Sequence, residues 1–171
     1  YTTGDRTMTS IIKVDTLQKA NGATPTAADL GINVTGTVLQ VANKSVNGRN
    51  SISSGSFSYT GFYHSITPTS TSSKILILME TGLNTQTSGN NGQLTIYRDS
   101  TELSGQTHGL AYILGNSSRI QIPVHLSYVD TPNTTSEVTY KLYAKSDGAS
   151  NIEVPVTASE ITTITLMEIA G

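Results

Sequence analysis

The side chains that could carry nucleophilic, acid–base or metal chemistry are few and scattered along this sequence. Cysteine is absent, which removes thiolate nucleophiles, disulfides, Cys-based zinc sites and iron–sulfur clusters together. The three histidines, His64, His108 and His125, stand alone, without the H-x-H or H-x-x-x-H spacing that sets two imidazoles on one ion. Only three copies of the chain meeting about an axis would bring one histidine from each into a three-imidazole ring. The nine carboxylates from Glu80 to Glu168 contain no D-x-D-x-D calcium loop and no pair at i, i+2 on one strand face. A glycosidase pair would have to converge from separate strands. There is no G-x-S-x-G elbow and no phosphate-binding P-loop, and hydroxyls are too common for one near a histidine to be informative. The expectation is therefore no catalytic residue, no cofactor and no bound metal.

Composition narrows the partners. Of 171 residues 48 are Ser or Thr, whereas Lys and Arg number 10 and Asp and Glu 12, for a net charge of −2. A surface polar through hydroxyls lacks the clustered cations that nucleic acid or anionic lipid requires. The longest apolar run, Ile75-Leu76-Ile77-Leu78-Met79, is far shorter than the roughly 20 residues of a membrane-spanning helix. No nucleic-acid partner and no membrane partner are expected. Residues 1–7 lack the basic and apolar regions of a secretory signal, and Met8 is a candidate native start. The eight tyrosines fit half-buried strand positions whose hydroxyls reach water or a neighbouring subunit. They also offer ring faces for stacking on sugars, a reading weakened by the lack of tryptophan. Contact with a partner falls to the polar loops, with Asn84, Asn90, Asn91, Gln106, His108, Asn133 and Thr134 as candidate host-contact residues.

The elements that must hold these loops are strands. Leu94 and Ile96 alternate with Thr95 and Tyr97, then Asp99-Ser100 turns the chain back. Ile120, Ile122, Val124, Leu126 and Tyr128 alternate with polar partners in the cleanest strand of the chain. Pro123 on its outward phase places that strand at a sheet edge or a bulge. Val138, Tyr140, Leu142 and Ala144 alternate before Asp147-Gly148, a strong hairpin signal, and a last strand covers residues 161–169. About eight strands with regular turn signals and no long amphipathic helix predict an all-β fold, a jelly-roll β-sandwich over residues 51–171. Residues 1–50 read differently, as a short extended arm with two β-like runs and one helical turn. Thr24 is its expected N-cap, Pro25 its first residue and Gly31 its C′ position, and the Asn-, Ser- and Gly-rich stretch 43–56 reads as a linker. So small an arm has too little apolar area to order itself and needs a partner surface.

The arm carries a resemblance. Ile11-Ile12-Lys13-Val14-Asp15-Thr16-Leu17-Gln18-Lys19-Ala20-Asn21-Gly22, Thr24-Pro25-Thr26-Ala27-Ala28-Asp29-Leu30-Gly31 and Thr35-Gly36-Thr37-Val38-Leu39-Gln40-Val41 resemble the leader of small virion proteins of tailed bacteriophages, those of marine cyanobacteria among them. Leu94-Thr95-Ile96-Tyr97-Arg98-Asp99, Ser127-Tyr128-Val129-Asp130-Thr131-Pro132 and Thr165-Leu166-Met167-Glu168-Ile169 are similar to the β-rich heads that follow such leaders. The resemblance implies a homotrimer of jelly rolls packed like tumour-necrosis-factor and C1q heads, located on the phage particle. It implies that Ile11, Ile12, Val14, Leu17, Leu30, Ile32, Val38, Leu39 and Val41 anchor and trimerise the arm against other virion proteins. Two functions follow: a tail-fibre or spike-like knob attaching to host-surface glycan, or a capsid decoration protein or head fibre. An enzyme acting on polysaccharide ranks last, for want of a carboxylate constellation.

Overall fold

Two-residue periodicity governs the chain from Val38 onward, and in the computed structural model it becomes strands. The described residues are 16–26, 28–30, 35–85, 90–115, 119–147 and 150–171. In chain order the strands are β1 (Val38–Asn47), β2 (Asn50–Ile52), β3 (Ser58–Ile66), β4 (Lys74–Thr85), β5 (Gly92–Arg98), β6 (Thr101–Glu102), β7 (Ala111–Ile113), β8 (Ile120–Asp130), β9 (Val138–Ser146), β10 (Ile152–Val154) and β11 (Ile161–Ile169). All pairings are antiparallel. One sheet runs β1-β11-β4-β8, with β10 continuing along β4 beyond β11 and carrying β2; the other runs β3-β9-β5, with β6 and β7 on the far edge of β5. The fold is the expected all-β, jelly-roll-like sandwich. Pro123 sits in β8, which among the described residues pairs with β4 alone, an edge position where a missing N–H is tolerated.

The compact sandwich begins at Thr35, not near residue 50. Residues 38–47, expected in the arm, pair along β11 from Val38↔Ile169 to Asn47↔Ile161, and the supposed linker contains the end of β1 and all of β2. Ala42, Lys44 and Val46 turn inward there while Asn43, Ser45 and Asn47 turn out, so polar composition hid a real alternation. Before Thr35 the described arm has one 3-10 turn, Ala28–Leu30. Its cap is Thr26 rather than Thr24: the Thr26 hydroxyl accepts from the Asp29 N–H, and the Asp29 carboxylate accepts from the Thr26 N–H and hydroxyl, a capping box that Lys19 closes at 2.6 Å. Those donors, the Lys19 ammonium first, hold the Asp29 carboxyl below its ordinary range.

The core lies between the two sheets. Ile75, Ile77, Met79 and Leu83 of β4, Ile164 and Leu166 of β11 and Val124 and Leu126 of β8 face Phe62 and Ile66 of β3, Leu94 and Ile96 of β5 and Val138 and Leu142 of β9. Each such side chain contributes about 1.5–3 kcal/mol by leaving water. The hydroxyl-rich composition reappears as rungs across strands. Thr81 meets Thr162 at 2.9 Å, Ser65 meets Thr139 at 3.0 Å, and the Asn43 amide donates to Thr165 at 2.7 Å.

Among the described residues one ion pair joins the sheets. Arg98 of β5 donates to both oxygens of Asp130 at the end of β8, at 2.9 and 2.8 Å, and the buried Tyr140 hydroxyl of β9 donates to Asp130 at 2.7 Å. Burial, then the hydrogen bond to Asp130, pushes the Tyr140 phenol far up, so it stays protonated and donating. Replacing Tyr140 by Phe leaves a buried carboxylate short of one donor and is expected to cost about 2 kcal/mol in denaturant unfolding; a cost near zero would contradict this role. Removing residues 162–171 takes β11 from between β1 and β4, and loss of the cooperative unfolding transition is the expected outcome, checked by circular dichroism.

Candidate functional site

The outer face of the β3-β9-β5 sheet is aromatic and hollowed. Alternation that turns Leu94, Ile96, Leu142 and Ala144 inward turns Tyr59, Tyr97, Tyr143 and Lys145 outward. Tyr97 stacks on Tyr143 with centroids 3.9 Å apart, and Tyr143 meets Tyr59 at 5.7 Å. After β6 the chain folds back over β5, with Leu103 and Leu110 N–H groups donating to the Ile96 and Leu94 carbonyls. Gly109 makes that approach possible: its φ is +70°, and a Cβ there would stand 2.5 Å from the Leu94 oxygen. Between this flap and the β2–β3 connection lies a hollow of about 390 Å³, lined by Gly55, Ser56, Phe57, Tyr97, Glu102, Gln106, Thr107 and Lys145.

Its polar walls are fixed from within. Glu102 accepts from the Thr95 hydroxyl, the Ser104 N–H and hydroxyl, and the Gly105 N–H. Burial works against its ionisation, but these donors outweigh burial and hold the carboxyl below its ordinary range. Lys145 donates to the Thr107 carbonyl at 2.9 Å and lies 4.9 Å from the centre of the Phe57 ring. The phenols of Tyr59, Tyr97 and Tyr143 and the side-chain amide of Gln106 hold no hydrogen bond among the described residues.

The outer face of the other sheet has a different character. Val41, Met167, Leu76 and Val129 stand opposite one another across β1, β11, β4 and β8, an apolar row spanning the sheet. Val41 is 58% and Val129 53% exposed, and Val38 and Leu39 extend the row at 50% and 43%. Farther along come Asn43, Thr165, Leu78 and Ser127, a row polar except for Leu78, then Ser45, Thr163, Glu80 and His125. Beyond these, a second hollow of about 440 Å³ opens over Gly82, where an added Cβ would meet Val156 at 2.8 Å and the Glu160 carboxylate at 2.9 Å.

The candidate residues divide sharply. Ile11, Ile12, Val14 and Ile32 lie outside the described residues. Leu17 and Leu30 are exposed in the arm; Val38, Leu39 and Val41 belong to β1. Asn84 is not a loop residue but the fully buried end of β4, donating to Glu153 at 2.6 Å and accepting from Arg119 at 2.9 Å, while Arg49 pairs with Glu153 at 2.9 Å. Asn90 is buried too, donating to the Asn151 carbonyl and accepting from Ser146. Both are closed to a partner, because strand pairing continues through Thr85 and the buried Asn90 amide is taken up by Asn151 and Ser146. Asn91 is half-buried and accepts from the Gly115 N–H. Asn133 is exposed and Thr134 half-buried, in the loop between β8 and β9 at the end where Gly36 pairs with Ala170. Gln106 and His108 are exposed, Gln106 in the wall of the aromatic hollow and His108 stacked on Tyr112 at 4.6 Å.

The histidines stay apart. Burial, then the Lys44 ammonium, holds the His64 imidazole below its ordinary value, while His125 faces Glu80 at 3.6 Å on the opposite sheet. No group of three metal-ligating side chains occurs among the described residues. The hollow's wall residues Ser56, Phe57 and Lys145 escaped the sequence reading because the linker assignment covered Ser56, while Phe57 and Lys145 read as ordinary positions of alternating strands.

The Glu102 bonds give the flap a pH dependence. Their contribution is whole above the ordinary glutamate value of 4.5 and is lost as pH falls through the lowered value in the fold. Protection of the Ser104 and Gly105 amides from hydrogen exchange is expected to fall in acid before the core opens, and protection lost only together with the core would contradict it. Neither protein-family models nor curated proteins match this chain.

Proposed function

We propose that this chain is a virion surface protein of a tailed bacteriophage, a homotrimeric tail-fibre or spike-like knob that is mounted through the segment before Thr35 and attaches to the host surface without catalysis. The class comes from the resemblance of the leader and head motifs. The observation that carries the assembly is the apolar row Val41–Met167–Leu76–Val129 with its flank of Val38 and Leu39. A contiguous exposed apolar band on one sheet face is costly in water and favours burial against another surface. Identical copies are the economical source of that surface, because about a threefold axis each interface sets one flank of the row against the other flank on the next copy. The other sheet face, with tyrosines, lysines and a polar hollow, stays free to meet a partner.

Placing carboxylates in the row tests the assembly. The full chain is expected to sediment at three times its 18.1 kDa chain mass, and Val41→Glu with Val129→Glu to sediment as a folded monomer. A wild-type monomer at micromolar concentration would sink the reading. Labelling of intact particles with an antibody against the chain tests the location on the virion.

A further inference from the structure

We propose that the hollow between Phe57 and Tyr97 is a saccharide-binding site for an uncharged pyranoside; it rests on the host-attachment reading and gives it a ligand class. Two aromatic rings from separate elements line one recess of about 390 Å³, the size of a mono- or disaccharide site. A pyranose has the matching amphipathic shape, with C–H groups on its faces and hydroxyls around its rim. Tyr97 is braced from behind by Tyr143, and Tyr143 by Tyr59, so the ring that faces the recess is held in place before any ligand arrives. The Lys145 ammonium, which also lines the recess, lies 4.9 Å from the centre of the Phe57 ring.

The polar groups suit hydroxyls. The Gln106 amide offers donor and acceptor at the exposed rim, and the Tyr97 phenol is uncommitted among the described residues. The Glu102 oxygen bonded to the Gly105 N–H keeps lone-pair capacity for a sugar hydroxyl. Charge selects the class: among the described residues lining the recess, Glu102 and Lys145 are the charged ones and they balance, so neither an acidic nor a basic sugar gains net attraction. An apolar occupant would leave the Gln106 side-chain amide without a partner.

Saturation-transfer NMR on the full chain tests this with neutral probes (maltotriose, cellotriose, chitotriose and a galactobiose) and two acidic ones, sialyllactose and tri-galacturonate. At least one neutral probe is expected to bind with Kd about 1 mM. Phe57→Ala and Gln106→Ala should each weaken it by about tenfold, while Tyr112→Ala, outside the recess, leaves it unchanged. Gln106 is exposed, so its loss is read without risk to the fold. No neutral probe binding at about 10 mM, a preference for the acidic probes, or binding indifferent to both variants overturns the proposal. A trimer that binds none of the probes overturns this site alone, and a monomer that binds a neutral probe overturns the assembly alone.

Discussion

The carboxylate of Asp130 is the constraint on which the sandwich depends. Apolar contacts between two sheets are non-directional, so side chains of similar size could slide past one another at small cost. A buried carboxylate cannot. It needs Arg98 from β5 and Tyr140 from β9 within hydrogen-bond distance, and it projects from the end of β8 in the opposite sheet. Meeting both donors fixes where β8 stands relative to β5 and β9, and through the β4 pairing, Ile75↔Asp130 onward, it fixes the inner face of the other sheet as well. Breaking such a pair costs more than forming it gains, which makes it a device of register more than of stability.

With that register set, the two outer faces acquire opposite characters from the same alternation. On one sheet Val41, Met167, Leu76 and Val129 fall into a line because four strands bring them level. On the other, Tyr59, Tyr143 and Tyr97 gather and the chain after β6 builds a wall beside them. One outer face carries a band of apolar side chains and the other an aromatic hollow with polar walls. The abundant hydroxyls serve the interior edges of this scheme, linking neighbouring strands where charged pairs would need desolvation.

Much of this was legible in the sequence where alternation was strong and local. β8, β9 and β11 follow their apolar period, and the outward Pro123 announced an edge. What was hidden depends on partners far along the chain. The alternation of β1 is carried by Ala42, Lys44 and Val46, a weak signal that becomes a strand only against β11. Asn84 and Asn90 have loop-like identities but are buried because Glu153, Asn151 and Ser146 arrive to satisfy them. The aromatic recess was half visible: the tyrosines and Gln106 could be named, but its walls come from three separate stretches that only the folded sheet assembles.

The seat of β11 between β1 and β4 also has a consequence for biosynthesis. Ser45 lies 118 positions before its partner Thr163, and Leu78 is flanked on that side by Thr165, so neither β1 nor that edge of β4 finds its neighbour until the ribosome has made residues 161–169. Translation therefore runs far ahead of folding. Unpaired backbone edges and an open apolar interior stay exposed on each nascent chain, and neighbouring chains on one messenger are close enough to pair with them. Few long apolar runs and many hydroxyls make that interval safer, which gives the unusual composition a second use before the protein has any shape at all.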